Sequence, residues 1–333
     1  MSGERPTQPE ISRPLSGTAA GTTYLALPPT AIDARPAGPT RLLIAWPGFD
    51  PPRAAAALAA AMPLTGVPTW RVYLDLPAGR HSLASGDLME DAGVERYVST
   101  VEQAAAHVPA VLAELRRDLG LDCGPVALAG FSVGGTIALL TLAEGIVPVS
   151  TAAVVAPVIA PSRAVRFLEK RAGRERGWTE RGRALAERLD LGARAGDLGG
   201  APLLMLGGAK DRLVPPNEVT ALRDLLKQRG AAGVESATFR MGHELADEPG
   251  TQARPPTTEA VRVDGVLSDW FRERLATVGS QPAPQPAMTR PPAERPEQAE
   301  RPEQAERPEQ AERHRPADEP VPLHHLEGAR LHA

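Results

Sequence analysis

The 333-residue chain has a single cysteine, Cys123, so no intrachain disulfide can form and a cysteine-based metal cluster is excluded. That scarcity is read most simply as a reducing, cytoplasmic setting. No stretch stays apolar for the length a membrane-crossing helix needs. The opening MSGERPTQPEISRPLSGTAAGTTY lacks the basic start and continuous apolar segment of a secretory signal, which predicts a soluble intracellular protein. Positive charge is not in excess either: 37 Lys and Arg against 41 Asp and Glu leave a net charge of -4, with no overall bias toward nucleic acid. What remains is ordinary for a soluble folded protein, since 42% hydrophobic residues can supply a buried core.

The chain divides by composition. AERPEQ occurs at 293, 299 and 305, and a decayed copy, AERHRP, follows at 311. A period of six with regularly spaced prolines blocks continuous helix or strand, so residues 280–333 are expected to form a disordered tail, at most a tether for a protein partner. Residues 1–20 are Pro- and Ser-rich and are expected to be loose. Between these ends, short apolar runs alternate with helical patterns, the sequence sign of βαβ units and a parallel sheet. The expected strands are 23–27, 40–46, 69–75, 125–130, 151–156, 202–206 and 234–240. The expected helices are 53–61, 95–118, 134–144, 216–229 and 258–276. Pro109 should kink or divide the second helix. In the last, Val263, Val266, Leu267, Trp270 and Phe271 repeat at helical spacing and should face the core.

Residues 157–200 interrupt the alternation with an amphipathic, charged pattern that reads as a helical insertion. From Arg163 to Arg194 there are ten Lys or Arg and five Asp or Glu, a net +5 inside a negative protein. Such a run is either a solvated helix surface or an attractor for a phosphate-bearing partner.

The chemistry is signalled by LAGFSVGG, residues 128–135. Ser132 follows an apolar strand pattern and opens a helical one, with Gly130 and Gly134 two residues to either side. A serine on so sharp a turn takes a strained backbone, and its flanking glycines prevent collision between strand and helix. The plainer alternative is a tight connection with an N-capping serine. A hydroxyl needs a base to become a nucleophile, and that base needs an orienting carboxylate. Candidates follow at the ends of the last two expected strands: Asp211 in GGAKDRLVPP and His243 in MGHEL. The alternatives there are a loop cap and a surface histidine.

With these three motifs in the order Ser, Asp, His, residues 21–279 resemble the α/β-hydrolase superfamily. The resemblance implies an α/β fold with a mostly parallel central sheet flanked by helices, 157–200 being a small helical cap. It makes Ser132 the nucleophile, His243 the general base and acid, and Asp211 the orienting carboxylate. It also implies an oxyanion hole from the amide of Val133 and one from an early strand-to-helix loop. AWPGFDPP fits that second position, so Phe49 is the expected donor, although Pro47-Gly48 stands where the superfamily commonly has His-Gly. Asp50 beside it is expected to cap the following helix. No metal or other cofactor is required.

The expected function is hydrolysis of a carboxylic ester or related acyl bond on a small-molecule substrate. Two alternatives stay open: a thioesterase or acyltransferase on carrier- or coenzyme-bound acyl groups, and a catalytically idle binding module. Of the other histidines, His81 could border a pocket, His107 is packed or solvated within a helix, and His314, His324, His325 and His332 belong to the tail.

Overall fold

The computed structural model describes residues 13–30, 34–77 and 85–278. The chain divides into two units, Met1–Gln281 and Pro282–Ala333, and everything below belongs to the first. The expected tail and His81 lie outside the described residues.

The eight strands of the main sheet are β1 (Leu15–Ala19), β2 (Thr22–Leu27), β4 (Leu42–Trp46), β5 (Trp70–Leu74), β6 (Val126–Phe131), β7 (Val149–Val155), β8 (Leu203–Gly208) and β9 (Val234–Phe239). Their spatial order is β1-β2-β5-β4-β6-β7-β8-β9. β2 pairs antiparallel with both its neighbours, and from β5 to β9 every pairing is parallel. A separate antiparallel pair joins β3 (Ala34–Pro36) to β10 (Ala276–Val278). The expected loose N-terminus is shorter than 20 residues: β1 begins at Leu15, and Ala20 N–H donates to Glu114 Oε2 at 2.6 Å. β1 is an edge strand with mostly exposed small and polar residues, so its own sequence carries little strand signal.

The central strands explain their own composition. All five residues of LLIAW in β4 are buried, because helices cover both sheet faces. Leu42, Ile44 and Trp46 point into one core with Val126 and Leu128, while Leu43 and Ala45 point into the opposite core with Ala127, Ala129 and Phe131. The first face carries α2 (Asp91–Asp118), α3 (Val133–Glu144) and α6 (Glu218–Gln228); the second carries α1 (Ala55–Ala61) and α7 (Thr258–Leu275). α3 is apolar all round and is buried from Val133 to Leu142.

Two helix expectations are corrected. α2 runs from Asp91 to Asp118 without division, with Pro109 inside it on the exposed side, because Ala104, Ala105, Val108, Val111, Leu112 and Leu115 bury one continuous stripe across the proline. In α7, Val263, Leu267, Trp270 and Phe271 are buried as expected, but Val266 is exposed.

The inserted segment folds as two helices, α4 (Pro161–Ala172) and α5 (Glu180–Arg188). It is anchored at Trp178, whose buried indole Nε1–H donates to the Leu88 carbonyl at 2.8 Å. Its arginines reach acids on neighbouring elements: Arg163 with Glu218, Arg174 with Glu90, Arg181 with Glu95, Arg188 with Glu102 and Arg194 with Glu144. The local excess of positive charge is thus matched by five carboxylates outside the insertion.

Candidate active site

The sheet order reverses between β4 and β6: the chain passes from β4 outward to β5, then returns to the other side of β4. Ligands of open α/β sheets bind at such a crevice, beyond the carboxyl ends of the strands. Here the segment after β4 holds Phe49 and Asp50, and the turn after β6 holds Ser132.

Ser132 has φ 53° and ψ -118°, a positive-φ conformation that a side chain seldom adopts. The strand and helix on either side of it approach so closely that residues 130 and 134 have no room for a side chain. A Cβ on Gly130 would lie 2.1 Å from the Gly134 carbonyl oxygen, and one on Gly134 would lie 2.1 Å from that of Trp46. Ser132 N–H donates to the Val155 carbonyl at 2.9 Å, tying the turn to β7. Val133 opens α3, where the first-turn amides have no carbonyl acceptor within the helix. Gly134 packs directly on the backbone of Trp46 and Pro47, so the start of α3 and the Phe49 loop are neighbours. The serine does not serve as an N-cap acceptor, which removes the plainer alternative for it.

Asp211 follows β8 and His243 follows β9, and both are buried. Their loops meet because Gly208 has no side chain: a Cβ there would come within 2.8 Å of the Met241 and Gly242 carbonyl oxygens. Asp211 Oδ1 accepts from the amides of Leu213 (2.8 Å) and Val214 (2.9 Å), which fixes the carboxylate plane. Its Oδ2 lies 2.8 Å from His243 Nδ1. A carboxylate only accepts, so Nδ1 carries the proton and Nε2 accepts from the Ser132 hydroxyl at 2.9 Å. The three side chains expected from sequence therefore form one hydrogen-bonded line.

Burial, the largest single influence, pushes the His243 imidazole toward its neutral form, but the hydrogen bond and charge of Asp211 and the charges of Asp50 and Glu244 together outweigh it. The net direction is upward from the ordinary histidine value. The Phe131 ring, 5.3 Å from the imidazole between centroids and tilted by 39°, covers one side of it.

Several contributors are not evident from sequence. Asp50 does not cap α1: Asp75 Oδ1 accepts from the Ala55 amide at 2.7 Å, while Asp50 Oδ2 stands 3.6 Å from His243 Nε2. Behind the turn, the Thr136 hydroxyl lies 2.8 Å from Tyr97 OH and donates to the Val158 carbonyl at 3.0 Å. The Tyr97 ring in turn meets Phe49 edge-on at 5.8 Å. Burial holds the Tyr97 phenol protonated by raising its pKa. His107 is exposed on α2. An open groove of about 550 Å³ on the cap, lined by Glu169, Lys170, Arg174, Glu175, Arg176 and Arg183 among others, includes none of the three aligned residues. Among the described residues no cluster of His, Cys, Asp or Glu has the make-up of a metal site, and no helix is long and apolar enough to cross a membrane.

The sheet order and the helices on both its faces are those of the α/β-hydrolase fold. A crystal structure of TT1662 from Thermus thermophilus aligns with a TM-score of 0.53 at 24% identity, over 78% of this chain and 98% of that one. An acylaminoacyl peptidase of Pyrococcus horikoshii aligns with a TM-score of 0.54 at 13% identity, over 81% of this chain. A puromycin-hydrolyzing peptidase of Mycobacterium tuberculosis gives a TM-score of 0.54 at 16% identity, over 82%. The chain spans only 42% and 40% of those two peptidases. No family model and no curated protein matches it.

Proposed function

We propose that this protein is a serine hydrolase of carboxylic esters or related acyl bonds. The observation that carries the reading is the line Ser132 Oγ, His243 Nε2, His243 Nδ1, Asp211 Oδ2, with contacts of 2.9 and 2.8 Å. Ser132 Oγ attacks the substrate carbonyl as its proton passes to Nε2; a C–O bond forms, and the carbonyl π pair moves onto oxygen. The amides of Val133 and Phe49 receive that oxyanion, helped by the positive end of α3. Collapse breaks the bond to the leaving group, which takes the proton from Nε2. Water then repeats the sequence against the acyl-serine, with His243 again as base and then acid. Asp211 keeps the proton on Nδ1 and balances the imidazolium that forms at each stage.

Two observations bear on the substrate. Five of the ten cap cations pair with carboxylates outside the cap, which leaves less free positive charge for a phosphate-bearing acyl carrier and favours small neutral acyl substrates. The peptidases among the structural neighbours place an amide beside the esters in any substrate panel. The test is a series of acyl p-nitrophenyl esters, a thioester and an aminoacyl amide, run with wild type and Ser132→Ala. Ser132→Ala should lower kcat/KM by about 10⁴-fold or more, and a fluorophosphonate probe should label wild type alone. Unlabelled wild-type Ser132 would mean an idle site and would end the proposal.

A further inference from the structure

Two carboxylates flank the His243 imidazole. Asp211 holds the Nδ1 edge at 2.8 Å; Asp50 Oδ2 stands at the Nε2 edge at 3.6 Å, the edge that also faces Ser132 Oγ. The Asp50 side chain is 16% exposed and that of His243 8%, so solvent screens their interaction only in part. This approach is built into the backbone. The Leu245 amide donates to the Pro51 carbonyl at 3.0 Å, and the Arg53 amide donates to the Gly250 carbonyl at 2.7 Å. A Cβ on Gly250 would come within 2.6 Å of Pro51 Cβ. The loop that carries Asp50 is therefore stitched to the chain that follows His243 at two points.

Resting on the hydrolase reading above, we propose that Asp50 is a positioning residue for proton transfer, a second carboxylate that favours protonation at Nε2 and sets the pH range in which His243 serves as base. In the resting state Nε2 accepts from Ser132 and has no proton to give Asp50, so the 3.6 Å approach becomes an ion pair only when the imidazole is protonated. Once Nε2 takes the serine proton, the imidazolium lies between two negative groups. Asp50 thereby strengthens the base in the attack step, and it weakens the same group as an acid toward the leaving atom. Among the described residues, the groups facing His243 are Asp211 from the β8 loop, Asp50 from the β4 loop and its own neighbour Glu244, with the Phe131 ring against its face. Asp211 meets the Nδ1 edge, whereas Asp50 reaches the reacting Nε2 edge.

The measurement that tests this needs no turnover. The imidazole Cε1–H resonance of His243 is titrated by NMR in Ser132→Ala and in Ser132→Ala/Asp50→Asn. The midpoint should fall by about one pH unit when Asp50 is neutralised, the low end of the range for a charge a few ångströms away, because the carboxylate is partly exposed. The acid limb of kcat/KM should move the same way in Asp50→Asn, and Asp50→Glu should return it toward wild type. Asp50→Ser serves as a second neutral variant if Asp50→Asn does not fold. An unchanged or raised midpoint in a folded neutral variant overturns the inference even if Ser132→Ala abolishes hydrolysis. Hydrolysis retained in Ser132→Ala overturns the hydrolase reading and leaves the imidazole titration to be judged by itself.

Discussion

At the scale of single residues, the site depends on side chains held in one protonation pattern more than on their mere proximity. Asp211 has its Oδ1 fixed by two backbone amides, so only Oδ2 is presented to His243. An asparagine at 211 can keep the oxygen on those amides, and its NH₂ then faces Nδ1 and forces the proton to Nε2, the wrong tautomer for accepting from serine. Asp211→Asn should keep the fold, measured by circular dichroism, while kcat falls by about 10⁴-fold. The pH dependence of the wild type follows from the same contacts. His243 is raised above the ordinary histidine value, and in the proposed hydrolysis it serves as base only when neutral, so kcat/KM should decline on the acid side with a midpoint above about 6.5. A midpoint below that value would contradict the arrangement. Ser132, Asp211 and His243 are legible in the sequence because each sits in a turn with its own local signal, glycines beside the serine and a strand end before each partner. Asp50 reads as a helix cap from its neighbours alone, since its partner stands in the distant loop after β9. Arg71 is equally opaque: an arginine in a strand pattern is fully buried, with its guanidinium donating to the carbonyls of Pro28, Pro63 and Leu64 and to the Thr30 hydroxyl.

At the scale of elements, alternation of apolar runs and helical periods locates β2, β4 to β9 and the five helices of the sheet layers, because burial on both faces imposes those patterns. It passes over β1 and underestimates α2 at Pro109, because sheet pairing in one case and a buried stripe in the other override local propensity. The serine turn shows how an element junction can be tested. A methyl group on Gly134 would have to displace the Trp46 and Pro47 carbonyl oxygens, both backbone atoms and both next to the Phe49 loop. Gly134→Ala should destabilise the protein by about 3 kcal/mol or more and abolish activity with it. Gly265, exposed in α7 with open space around the position a Cβ would take, is the contrasting case. Gly265→Ala should stabilise by about 0.5–1 kcal/mol through helix propensity alone. Thermal or urea unfolding of the two variants checks both signs.

At the scale of the whole globular unit, the cap and the sheet body are joined by two kinds of interaction with different salt dependence. Trp178 and the buried Ala186, Leu189 and Leu191 attach the cap through apolar contacts that salt does not screen. Around them run the pairs of Arg174, Arg181, Arg188 and Arg194 with Glu90, Glu95, Glu102 and Glu144 on the α2 and α3 side. Most of these groups are substantially exposed, so each pair contributes no more than about 0.2–1 kcal/mol, and less as ionic strength rises. Their loss should therefore loosen the cap edge without unfolding the body. In Arg181→Glu/Arg188→Glu, which sets like charges against Glu95 and Glu102, limited proteolysis should cut within 173–190 faster than in wild type at low salt, with little change in the melting temperature. Raising salt to about 1 M should bring wild type toward the variant by screening attraction in one and repulsion in the other. Equal proteolysis of the two proteins at low salt would mean that the apolar anchor alone holds the cap. Trp178→Ala would then be the substitution that releases it, at a cost of about 3–5 kcal/mol for a buried tryptophan.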